Sequence, residues 1–186
     1  MQTVAKVLHI AEILSIVHTM NGETGLNLKC IRMTKQLPDF RDPSLAQALV
    51  RDALDLKPHP EGGHYRELWR DMPGDGGRGA ASSILFLLAA GERSHWHRVD
   101  ATEIWIWQAG APLMLGLYGA EEGRKTIKLG PGASSGERFQ GIVPPYTWQE
   151  AASLGAWTLV SCIVAPAFPF EGFELAPRGW SPPGRQ

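Results

Sequence analysis

Glycine and proline interrupt this chain every few residues, twenty-one and fourteen of them respectively. Such punctuation works against long helices, since glycine carries a high entropic cost and proline removes a backbone donor. Short strands joined by turns suit it. After the loop "PGDGGRG" comes "AASSILFLLAA", short and continuously apolar, which its flanking glycines mark as a strand buried on both faces. Further runs follow at "TEIWIWQ", "PLMLGLYG", "RKTIKLG", "ERFQGIVP", "TWQEAA", "AWTLVSCIVAP" and "FEGFELAP", each closed by glycine, proline or small polar residues. Strands at this spacing predict an all-β sandwich or barrel.

One helix precedes them. In "DPSLAQALVRDALDL" the residues Leu45, Leu49, Ala53 and Leu56 form one apolar stripe, which predicts a helix over 43–56 with Asp42 as its cap and Pro43 in its first turn. The next segment, "KPHPEGGHYRELWRD", opens as a turn and runs into a first strand over 63–70. There Tyr65, Glu67 and Trp69 share one face, and His64, Arg66 and Leu68 the other.

The first forty or so residues read differently. "MQTVAKVLHIAEILSIVHTM" is broken by His9, Glu12 and His18, so it makes a poor membrane span and a poor signal peptide. The polar stretch after it lacks periodicity, and Met33 would serve as an alternative start. Residues 1–40 are therefore expected to lie outside the fold, 41–180 to form one domain, and 181–186 to be a tail. With 18 basic against 19 acidic residues and no basic block, nucleic acid is an unsuitable partner. Cys30 and Cys162 have no metal-site or disulfide spacing, and a cytoplasmic location is expected.

The chemistry concentrates in "GERSHWHRVDATEIWIWQAG". On a regular strand, residues i and i+2 point to one side, so His95 and His97 are expected to project together into a cavity. Glu103 begins the following strand, with Trp105 and Trp107 on its face. Two imidazoles and a carboxylate suit zinc, iron, manganese or nickel, or a metal-free acid/base site, and the residue types alone do not choose.

The layout of Gly91, His95, His97, Glu103 and Gly110 resembles the first signature of the cupin superfamily, whose fold is a double-stranded β-helix, a jelly-roll barrel. The second signature falls on "VPPYTWQEA", where Pro144 matches, Tyr146 stands in place of glycine and Gln149 in place of histidine. "HPEGGHYRELWRD", "HWHRVDATEIWIWQAGAPL" and "VPPYTWQEAASLGAWTLVSCIVAPAFPFEGFELAP" together resemble the Cupin_5 (DUF985) family over roughly 43–180. Relatives usually carry a histidine, an aromatic and a tyrosine after "EIW", whereas this chain has Ile106, Trp107 and Gln108. The resemblance implies a homodimer paired through an outer sheet and a small-molecule ligand in the barrel.

The expected site therefore comprises His95, His97, Glu103 and Tyr146 as catalytic groups, with Arg66, Trp105, Trp107 and Gln149 binding the ligand. His95, His97, Glu103 and Gln149 are the metal candidates. His59 and Glu61 read as the rim of a pocket or as parts of a rigid turn. Three functions follow from this set. The first is acid/base isomerisation of a small polar metabolite, with carbohydrate derivatives among the candidates. The second is metal-dependent chemistry, and the third is ligand binding without turnover.

Overall fold

The computed structural model describes residues 37–42 and 44–183. The expectations for residues 1–36, for Met33, for Cys30 and for Pro43 lie outside the described residues.

A single helix, α1 (Gln47–Ala53), precedes eleven strands: β1 (Lys57–Pro58), β2 (His64–Arg70), β3 (Ser82–Ala89), β4 (Arg93–Val99), β5 (Thr102–Gly110), β6 (Leu113–Gly119), β7 (Gly123–Leu129), β8 (Gln140–Val143), β9 (Trp148–Ser153), β10 (Trp157–Ala165) and β11 (Phe173–Leu175). They form two antiparallel sheets, β1-β2-β3-β10-β5-β8 and β11-β4-β9-β6-β7, the jelly roll of a cupin. Each of the apolar runs bounded by turn residues contains one of these strands.

Between the sheets lies the main core, in which Phe86, Leu88, Trp105, Leu113, Leu115, Leu129, Val143 and Val160 are almost wholly buried. The pleat turns the alternate residues of β3 and β10 outward. Leu87, Leu159 and Trp157 thereby meet Val50 and Leu56 in a second cluster, joined by the partly buried Phe40, Leu45 and Leu54. The indole Nε1 of Trp157 donates to the Leu45 carbonyl (2.7 Å), fixing the helix to that side of the sheet.

The helix is shorter than its periodicity predicts, and its cap differs. Asp42 Oδ1 accepts from the backbone N–H and the hydroxyl of Ser44 (2.9 and 2.7 Å), closing a local turn. Ala46 therefore occupies the N-cap position with no side-chain bond. Val50 is the wholly buried centre of the packed face; of the predicted stripe, Leu45 and Leu56 join it, while Leu49 is 46% exposed.

Two β-bulges decide what enters the barrel. In β2 the pairing with β3 slips between Glu67 and Trp69. After Leu68 the faces exchange, so that Trp69 is 54% exposed while Arg70 lines the interior with Tyr65 and Glu67. In β4, Ser94 pairs with Ala151 and His97 with Gln149, so β4 has one residue more than β9 between these pairs.

Candidate functional site

The bulge in β4 overturns the expectation that His95 and His97 point the same way. With one extra residue between them, Ser94 and His97 both turn into the barrel and are almost wholly buried. The half-buried His95 ring instead reaches the Pro177 carbonyl (3.3 Å from Nε2). What His95 supplies to the site is its backbone. Its N–H donates to the Glu61 carbonyl (2.7 Å), and its own carbonyl oxygen lies 2.8 Å from His97 Nδ1. Because a carbonyl can only accept, His97 carries its proton on Nδ1 and presents Nε2 with a free lone pair.

That tether explains how Glu61 becomes part of the site. The turn before β2 is closed by His59 N–H to the Gly63 carbonyl and Gly62 N–H to the His59 carbonyl (both 3.0 Å). Gly62 holds a φ of +107°, and a Cβ there would run into the Arg93 carbonyl, so only glycine lets the turn press this closely on β4. Glu61 is thereby driven inward. Its Oε2 stands 3.4 Å from both His59 Nδ1 and His97 Nε2, and its Oε1 accepts from the Ser94 hydroxyl (2.9 Å).

Burial dominates the electrostatics of this cluster. It pushes the Glu61 carboxyl up to about 8 against the Ser94 hydrogen bond. Burial likewise raises Glu103 to about 7, opposed by the attraction of His97. Both imidazoles move the other way: His59 falls to about 4 through burial and the nearby His97, and burial lowers His97. At neutral pH, Glu61 holds a proton and both rings are neutral.

Glu103 is set from the far side by a relay. Trp105 Nε1 donates to Gln149 Oε1 (2.9 Å), which fixes the amide orientation, and Gln149 Nε2 donates to Glu103 Oε2 (2.6 Å). All three side chains are buried. The thiol of Cys162, a free and buried cysteine, also bonds to Glu103.

Around these groups lies a cavity of about 220 Å³. Its polar end comprises His59, Glu61, His97, Glu103 and Cys162, and its walls include Tyr65, Phe86, Phe168, Phe170 and Phe173. The rings touch one another in sequence: His59 meets Tyr65 edge-on at 4.6 Å, His97 meets Phe173 at 5.5 Å, and Phe173 meets Phe168 at 5.9 Å between centroids.

Of the eight residues assigned to the expected site, His97 and Glu103 line this cavity and the other six do not, while His59 and Glu61, read as a pocket rim or a turn, line it as well. Tyr146 is 65% exposed, in a left-handed conformation (φ 61°) that points it away from the barrel. Arg66 pairs with Leu85 and so shares its outward face, opposite Tyr65. Trp107 packs against the core and donates Nε1 to the Ala111 carbonyl (3.1 Å). Trp105 and Gln149 act behind Glu103. Nor does the structure bring the metal quartet together: the His95 ring is directed outward, and the Gln149 amide accepts from Trp105 and donates to Glu103. Among the described residues, no three histidine, cysteine or acidic groups are arranged to hold an ion.

Glu61 and His59 read in the sequence as a pocket rim or a rigid turn, whereas Ser94, Cys162 and the four phenylalanines of the wall carry no sequence signal of a site. The glycine pair at 62–63, which demands a close approach of backbones, is the clue that pointed inward.

The family model Cupin_5, described as Cupin superfamily (DUF985), matches residues 47–176. The chain belongs to the Cupin_5 family. An X-ray structure of a protein from Shewanella oneidensis is 39% identical, covers 68% of this chain and 82% of its own, and superposes with a TM-score of 0.65. A hypothetical protein from Leishmania major is 30% identical, with coverage of 68% and 85% and a TM-score of 0.62. An oxalate decarboxylase variant from Bacillus subtilis shares the cupin fold at 12% identity, with coverage of 66% and 31% and a TM-score of 0.52. Among curated proteins, none matches this Cupin_5 chain. Among the described residues, no helix is long and apolar enough to cross a membrane.

Proposed function

We propose that this cupin binds a small polar metabolite in its barrel and isomerises it by acid/base chemistry. The observation that carries the reading is the position of Glu61 Oε2, 3.4 Å from His97 Nε2, with the acid protonated and the base free at the same pH. Groups pushed to opposite protonation states by one environment are the mark of an acid/base pair. A substrate with a hydrogen on the carbon beside a carbonyl would lose that proton to His97 Nε2, while Glu61 gives its proton to the carbonyl oxygen. The enol so formed would collapse by the reverse transfers, which exchange the hydrogen on carbon. Where that carbon also bears a hydroxyl, His97 would give its proton to the former carbonyl carbon while the Glu61 carboxylate takes the proton of that hydroxyl, which moves the carbonyl to the neighbouring carbon. Charge and atoms balance without an added reactant, and the His95 carbonyl stabilises the imidazolium through Nδ1–H.

Solvent deuterium entering one carbon of a small carbonyl compound, followed by NMR over a panel of such compounds, tests this. Glu61→Gln and His97→Gln should each slow the exchange by roughly 100-fold or more. Exchange indifferent to both substitutions would refute the reading.

The same proposal includes a homodimer. On the outer face of the six-stranded sheet, Ile104, Ile106, Ile163 and Leu85 lie half-buried beside Ile142, which is 57% exposed. Such a stripe supports pairing of two copies. Ile142→Glu should shift the mass measured by light scattering from dimer to monomer.

A further inference from the structure

The cavity's charge is lopsided. Three carboxyl groups line it, those of Glu61, Glu67 and Glu103. The one guanidinium or ammonium among the lining residues is that of Arg70, and its charge is paired with Glu67. Its Nε and Nη2 bond to Glu67 Oε2 (3.1 and 2.6 Å), and its Nη1 bonds to the Phe168 carbonyl (2.5 Å). Glu67 is neutralised by that pair and Glu61 holds its proton at neutral pH, so Glu103 is the lining group left to carry an uncompensated negative charge, and an anionic ligand would meet it with no unpaired cation beside it.

The walls limit the choice from another side. Much of the lining is Phe86, Phe168, Phe173, Ile84, Val99 and Val164, which offer no side-chain hydrogen bond. A ligand bearing a hydroxyl on every carbon would leave several unpaired, each costing about 1–3 kcal/mol, so a carbohydrate suits this cavity poorly. Ring faces carry negative potential and attract organic cations. Buried carboxylates do the same, and pairing offsets the cost of taking an ammonium out of water.

We propose that the ligand of this cavity is a small organic ammonium with an apolar body, its charged head held by Glu103 and its body packed against Tyr65, Phe168 and Phe173. This rests on the reading that the substrate binds here, and it adds the substrate's class. Glu103 suits the role because Gln149 and Cys162 occupy two of the roughly four acceptor directions of its carboxylate, which leaves others free. A bound ammonium would also add to the attraction of His97 and the bonds from Gln149 and Cys162, which together leave Glu103 raised by burial to about 7. The volume, about 220 Å³, is below the roughly 300–1,000 Å³ of pockets for drug-sized molecules. A single ring or a short chain is therefore the body that fits.

Calorimetric titration of the full chain with matched probes differing in charge decides the matter: benzylammonium, benzyl alcohol and benzoate, then butylammonium, butanol and butyrate. In at least one set the ammonium should bind saturably and at least about tenfold more tightly than the alcohol, with the carboxylate weakest. Glu103→Gln should bring the ammonium to the level of the alcohol. His97→Gln should keep the preference while abolishing deuterium exchange, which separates failure of this inference from failure of the acid/base reading. Equal binding of alcohol and ammonium, tightest binding of a carboxylate, or no binding in either set would overturn the proposal. Should Glu103→Gln fail to fold by circular dichroism, the ranking on the unaltered chain decides alone.

Discussion

The His97 ring takes its orientation from the backbone of His95 and not from its side chain: Nδ1 of one lies 2.8 Å from the carbonyl oxygen of the other, while the His95 imidazole faces Pro177. Any side chain at position 95 leaves that carbonyl in place. His95→Ala should therefore change the deuterium exchange rate less than about threefold, against a loss of roughly 100-fold or more for His97→Gln. Equal losses would mean that the two rings act together after all.

The pH dependence of exchange follows from the same pair. Glu61 must keep its proton and His97 must be free of one. The acid is held until about pH 8 by burial, and burial lowers the base below the ordinary 6.5. Activity should persist below pH 6.5 and fall on the alkaline side with a midpoint near 8. A rate that rises through 6.5 and stays flat above it would identify an ordinary histidine acting alone.

Gln149 stands where a metal ligand is usual in cupins, and its amide is spent on two buried neighbours. Gln149→Leu keeps the volume but strands the Trp105 indole N–H and one acceptor of Glu103. Each unsatisfied group costs about 1–3 kcal/mol. The variant should unfold at correspondingly lower urea, and Trp105→Phe should restore part of the loss by removing one stranded donor. No recovery in the double variant would show that the relay is not the source of the cost.

The strands were legible because turn residues close each apolar run, and because alternation along β3 and β10 serves two cores at once, Phe86 inward and Leu87 outward. The site was legible only in part. His97 and Glu103 sit where a regular pleat would put them, but a pleat has no room for bulges. The extra residue in β4 moved the His95 ring out, and the one in β2 brought Arg70 in. Glu61 was hidden because the direction of a turn residue is decided by a long-range bond, here from the N–H of His95 to its carbonyl. Phe168, Phe170 and Phe173 follow Pro166 in a stretch with no period to read. Asp42 was misread for a local reason, since Ser44 two residues on competes for its carboxylate.

The four buried ionisable groups also set how stability depends on pH. Glu61 and Glu103 are raised from 4.5 to about 8 and about 7. As pH rises above 4.5 they ionise more readily in the unfolded chain, so each favours unfolding until its folded value is passed. His59 falls from 6.5 to about 4, and His97 is lowered from the same 6.5. The unfolded chain binds their protons more readily as pH falls below 6.5, so these two favour unfolding on the acid side. Between 4.5 and 6.5 the imidazoles oppose the two carboxyls, which predicts a flatter dependence on pH there. From 6.5 to 8 only the carboxyls act, and stability should drop by on the order of 2–3 kcal/mol at about 1.4 kcal/mol per unit for each group. Below 4.5 the carboxyls no longer act and His59 favours unfolding down to its folded value of about 4, so stability falls again. Urea melts across this range should trace both shoulders. In Glu61→Gln the alkaline shoulder should shrink to the short span between 6.5 and 7 that Glu103 controls. An alkaline shoulder of undiminished depth in that variant would remove Glu61 as its cause, and with it the buried proton on which the acid/base reading depends.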